Sequence, residues 1–139
     1  MFFNIKKENK EEDSYLVKVA ALLIHAAKID EKYSNDEEDI IKKTLLELGA
    51  NQNELEALMI NAKQSEAKAN QILNFTREIK NQNEKDKIKI IKSLWRIIYS
   101  DKDADMYETN LMRRLSGLIY IDSKTMGDLK EKIKKENSR

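Results

Sequence analysis

The chain has no cysteine and no proline, one histidine and only three glycines in 139 residues. Without cysteine there is no disulfide framework, no thiolate zinc site and no cysteine nucleophile. A single histidine excludes multi-histidine metal sites and leaves little material for a catalytic triad. Neither sign of charge is in excess: 26 Lys and Arg stand against 25 Asp and Glu, a net of +1. No basic surplus therefore points to nucleic acid, and no acidic surplus to a solvating tail. No run reaches the ~18 apolar residues that a membrane span requires. The most apolar stretch, 19–27, is interrupted by His25. The opening Met1-Phe2-Phe3-Asn4-Ile5-Lys6-Lys7 puts aromatics ahead of charges, the reverse of a secretory signal. A cytoplasmic protein without stable membrane insertion is the expectation.

What is present fits an all-α protein. Charged residues make up 37% of the chain, yet hydrophobic ones still reach 40%, enough for the core of one domain. Residues 1–13 form a charged lead-in, expected to fray. The domain proper is expected over 14–139, as a compact bundle of about seven helices. Asp13 or Ser14 can cap a first helix reaching Lys28, with a broad stripe at Leu16, Val19, Ala20, Leu23 and Ala27 that marks it as central. The spacing predicts a second helix over 35–48, ended by Gly49 in a left-handed cap. A third opens at Asn51-Gln52-Asn53-Glu54, a fourth covers roughly 66–80, and a fifth spans 85–100 with Ile88, Ile91, Leu94, Trp95 and Ile98. A sixth follows over 106–119, and Ser123 caps a seventh over 126–135.

One regularity stands above this outline. Asp30, Ser34 and Glu37 share their spacing with Asp101, Asp105 and Glu108. The preceding helices align at the same offset, Val17 with Ile88, Leu23 with Leu94 and Ala27 with Ile98. Two helix–acidic loop–helix units result. Neither can bury its apolar face alone, so the two are expected to pack as a pseudo-symmetric pair with their loops at one end.

These residues carry a resemblance. The chain resembles the tellurite-resistance TerB-like family of all-helical proteins, in its poorly characterised subgroup. That family shows an Ala-Asp-Gly-x-x-Ser-x-x-Glu loop after its first long helix, and a Leu-Trp-x-x-Ala-x-Ala-Asp-Gly-x-x-Asp-x-x-Glu loop in its second half. Here the first reads Lys28-Ile29-Asp30-Glu31-Lys32-Tyr33-Ser34-Asn35-Asp36-Glu37. The second runs from Leu94-Trp95 through Asp101-Lys102-Asp103-Ala104-Asp105-Met106-Tyr107-Glu108. Phe75-Thr76-Arg77 and Leu111-Met112-Arg113-Arg114-Leu115 also fit, so the resemblance covers about residues 14–133. Both family glycines are replaced, by Glu31 and Lys102. The resemblance implies a stress-associated bacterial protein that binds a divalent metal through acidic residues and carries no enzyme activity.

Chemistry supports two readings of the loops. Clustered carboxylates suit hard cations of the Ca²⁺ or Mg²⁺ class, which take several oxygens at once. Asp30, Glu37, Asp101, Asp105 and Glu108 are the candidate ligands. An EF-hand is excluded, because Met106 and Met112 stand where that loop needs Gly and Glu. Against this, Ser34-x-x-Glu37 is a capping box, and Asp105-x-x-Glu108 can form another. On that reading the repeat exists to fold the connections. His25 is expected to be a partly buried, hydrogen-bonded helix residue, and Trp95 with Tyr99 to be core. Arg113 and Arg114 are expected to be solvated or paired. The sequence thus points to a non-enzymatic domain that binds a divalent cation, or alternatively to a module for an unidentified protein partner whose loops are only caps. Neither reading involves nucleic acid, and neither fixes the oligomeric state.

Overall fold

Small and branched apolar side chains occupy consecutive positions from Val19 to Leu23, too many for one face of a surface helix. The helix that carries them is accordingly the spine of the molecule. The computed structural model describes residues 2–29, 34–69, 71–100 and 106–137, with backbone alone for 2–14, 106–109 and 137. The elements are α1 (Phe2–Lys28), α2 (Asn35–Glu47), a 3-10 turn (Gln52–Glu54), α3 (Leu55–Lys68), α4 (Leu73–Thr76), α5 (Glu84–Ser100), α6 (Met106–Leu118) and α7 (Ser123–Asn137). Among the described residues these are seven α-helices with no strand, the all-α class expected.

Helix α1 packs against α2, α3, α4 and α5, while α5 also supports α2 and α7, and α6 lies on α7 and α4. Val19, Ala20, Ala21, Leu22 and Leu23 are completely buried, and Ile90, Ile91 and Leu94 of α5 meet the same core. Each large aliphatic side chain buried there contributes roughly 1.5–3 kcal/mol. Trp95 is buried and stacks on Tyr99 at 6.0 Å between centroids, the core role expected for the pair. One polar contact crosses this apolar region. The hydroxyls of Thr44 on α2 and Ser93 on α5 hydrogen-bond each other, while Thr44 Oγ1 also reaches Ile40 O (2.8 Å) and Ser93 Oγ reaches Lys89 O (3.0 Å).

Helix boundaries show where local signals hold and where they yield. Helix α1 starts at Phe2, not at Asp13 or Ser14. The lead-in is rich in Lys and Glu, good helix formers, and holds no Gly or Pro to stop the helix. Helix α2 ends as expected. Gly49 has φ +110°, its N–H donates to Leu46 O, and the Ala50 N–H donates to Leu45 O. That is a Schellman cap. The helix expected over 66–80 is broken. Helix α3 continues through Glu66 to Lys68, Ala69 turns extended (ψ 137°), and the short α4 follows. Between Ala62 and Ile72 no large apolar side chain holds a helix face to the core, so the chain turns and resumes packing at Ile72. Helix α7 starts at Ser123, and its cap is Asp122 rather than Ser123. The Asp122 carboxylate accepts from the Thr125 N–H at 2.7 Å, and hydrogen bonding from the Thr125 side chain, then from that N–H, holds its pKa below the usual carboxylate range. Helix α6 ends at Leu118, and the turn after it holds Tyr120 at φ 60°, the only non-glycine residue with positive φ among those described.

Candidate functional site

The last turn of α1 presents His25 and Lys28 on the side that faces α3. One carboxylate holds both. Glu66 Oε1 lies 3.3 Å from His25 Nδ1, and Glu66 Oε2 accepts from Lys28 Nζ at 2.9 Å. The Glu66 side chain is only 10% exposed, so this contact is shielded from solvent on the carboxylate side. His25 is half-buried and hydrogen-bonded, as expected, with its ring 6.4 Å from that of Phe75. Glu66 was not legible as its partner, because 41 positions separate the two and no local pattern links them.

His25 also lines a cavity of about 400 Å³, with Ile29, Asn110, Leu111 and Arg114. The end of α1 and the middle of α6 therefore meet around one space. Ile29 directly precedes Asp30, and Asn110 follows Glu108 by two positions. Arg114 is exposed and has no carboxylate partner among the described residues.

Of the candidate ligands, Glu37 is placed in full. It is 4% exposed. Its Oε1 accepts from the Ser34 N–H at 2.9 Å, and its own N–H donates to Ser34 Oγ at 3.2 Å. Both arms of the capping box are present. Asp30, Asp101 and Asp105 lie outside the described residues. Glu108 belongs to the first turn of α6, with its side chain outside them. Among the described residues no group of three His, Cys, Asp or Glu side chains is arranged to hold a metal ion.

The family model for tellurite resistance protein TerB matches residues 16–131, from the first core leucine of α1 to the middle of α7. The chain belongs to the TerB family. Comparison with curated proteins gave no match, and neither did comparison with solved structures. The match takes in α1 from Leu16 onward, the capping box that opens α2 and the α5–α6 segment carrying Trp95. No described helix of this TerB domain is long and apolar enough to cross a membrane.

Proposed function

We propose that this TerB domain is a non-enzymatic, stress-associated protein that binds a divalent cation of the Ca²⁺ or Mg²⁺ class at the end of the bundle where α1 stops and α6 starts. Asp30, Asp101, Asp105 and Glu108 supply the oxygens, and Glu37 adds its charge nearby. The observation that carries this reading is the cavity shared by His25 and Ile29 with Asn110 and Arg114. It brings the residue next to Asp30 and the helix that bears Glu108 around one space. An oxygen-only donor set suits hard cations, which take roughly six to eight such ligands. Binding is favoured over acid–base catalysis because a loop this rich in charge stays wet, and a wet carboxyl is not held protonated at neutral pH.

A second reading rests on the complete capping box. A Glu37 carboxylate committed to the Ser34 N–H is what a loop built only to start a helix requires. The domain would then be a protein-interaction module. Titration with Ca²⁺, Mg²⁺, Mn²⁺ and Zn²⁺, followed by thermal unfolding, separates the two. A ligand at a hundred times its Kd adds about 2.7 kcal/mol, a rise of several degrees in a chain of this length. The rise is expected for wild type and lost in Asp30→Asn and Asp101→Asn. No rise with any cation, and a partner that stays bound in chelator, would replace cation binding with the interaction role.

A further inference from the structure

A second cavity, about 490 Å³, is formed where α1, the end of α3 and the α4 turn meet. Its wall carries Lys18 from α1, Lys68 from the last turn of α3 and Arg77 from the turn after α4, together with Ser65, Asn74 and one carboxylate, Glu78. Three cations against one acid stand out in a chain whose net charge is +1. Four other surface cations are matched one to one with carboxylates: Lys28 with Glu66, Lys42 with Glu56, Lys63 with Glu38 and Arg96 with Glu136. Lys18, Lys68 and Arg77 have no carboxylate partner among the described residues. Three separate elements thus bring like charges to one concave space, where Glu78 offsets one charge and a bound anion offsets the rest. A guanidinium supplies paired donors matched to an oxyanion, two ammonium groups add point charges, and Ser65 and Asn74 add neutral donors.

We infer that this cavity binds a phosphomonoester, the dianionic phosphate group of a small organic molecule. The volume exceeds what inorganic phosphate fills and lies in the range of ligand pockets, roughly 300–1,000 Å³. Phosphate oxygens face Arg77, Lys68 and Lys18, and the organic part lies over the remaining wall beside Ser65 and Asn74. The same group occurs on soluble metabolites and on lipid headgroups, and the measurement separates them. The full chain is titrated with inorganic phosphate, with glycerol 3-phosphate and with adenosine monophosphate, at constant ionic strength set by chloride. Binding is followed by calorimetry and by amide shifts of Ser65 and Asn74. A parallel arm co-sediments the protein with phosphatidic acid vesicles and with phosphatidylcholine vesicles.

Saturable binding of a soluble phosphomonoester is expected, with affinity at least tenfold lower in Lys68→Gln and in Arg77→Gln and unchanged in Lys43→Gln on α2. The two cavity variants are expected to unfold at or above the wild-type temperature without ligand, since each removes repulsion, so a loss of binding is not a loss of fold. Co-sedimentation with phosphatidic acid that Arg77→Gln abolishes, without soluble binding, would assign the same site to a lipid headgroup. Absence of binding in both arms, or binding that Lys43→Gln weakens as much as Arg77→Gln, overturns the inference.

Discussion

Replacing Ser34 with alanine tests how the first acidic connection is built. The hydroxyl accepts from the Glu37 N–H at 3.2 Å, and that N–H belongs to a residue only 4% exposed, so water cannot freely take over. Loss of a Ser N-cap costs roughly 0.5–2 kcal/mol, centred near 1. Shielding of Glu37 places this cap at or above the centre of that range. For a chain of this length the unfolding entropy is roughly 0.3 kcal/mol/K, so Tm should fall by about 3 °C. Ser34→Thr keeps the acceptor and should stay within about 1 °C of wild type on the same scale. Thermal and urea unfolding by far-UV circular dichroism measure both, and the urea slope should not change, because the same surface is exposed. The drop should also be the same with and without Ca²⁺, since Ser34 is not among the proposed cation ligands. If Ser34→Ala matched wild type while Ser34→Thr lost stability, the side chain would not be acting as an acceptor and the cap reading would fail.

Two further outcomes rest on single residues. Gly49 has φ +110° with open space around an added Cβ, so Gly49→Ala meets backbone strain and no clash. A net loss of about 1 kcal/mol is expected, the left-handed penalty partly offset by a less flexible unfolded chain; urea midpoints would show it, and a value near zero would mean that the turn rearranges. The Tyr15 hydroxyl is buried without a partner among the described residues. Burial, with help from the Asp86 carboxylate, pushes its pKa from 10.0 up to about 12. The folded value lies above the unfolded one, so the neutral phenol favours the fold fully below pH 10 and that contribution disappears as pH rises from 10 to about 12. Tyr15→Phe should therefore match or exceed wild type at pH 7 and lose less stability across the alkaline range. An identical alkaline decline in both proteins would rule out Tyr15 as a source of it.

Where a local rule decides the outcome, the sequence was readable. The Leu and Ile stripes of α1 and α5 marked the core, because burial follows the helical period. Gly49 and the Ser34-x-x-Glu37 box marked their caps, because few residue types serve at those positions. Where contacts between distant segments decide, it was not. Lys68, in the polar stretch after Ala62, gave no sign that it ends α3, since the break reflects missing apolar anchors rather than a Pro or Gly. Tyr120 has no side-chain reason to sit at φ 60°; the Ile121 N–H donates to Ser116 O across the turn, and Lys80 and Lys87 place their ammonium groups about 6 Å from its ring. Of the candidate site, the role of Glu37 as a cap was legible from spacing alone. The Glu66 clamp on His25 and Lys28, and the convergence of Lys18, Lys68 and Arg77, depend on how α1 and α3 come together and leave no trace in any short window.

The Thr44 and Ser93 hydroxyls have three contacts to fill, to Ile40 O, to Lys89 O and to each other, and only two protons to fill them with. At any instant one of the three goes without, and the vacancy migrates among them as the hydroxyls rotate. A shift of α2 along α5 by a single helical turn would part the two hydroxyls and leave each with only the carbonyl of its own helix, Ile40 O or Lys89 O. The pair thus marks the register of two greasy rods, since only in this alignment do the two hydroxyls meet.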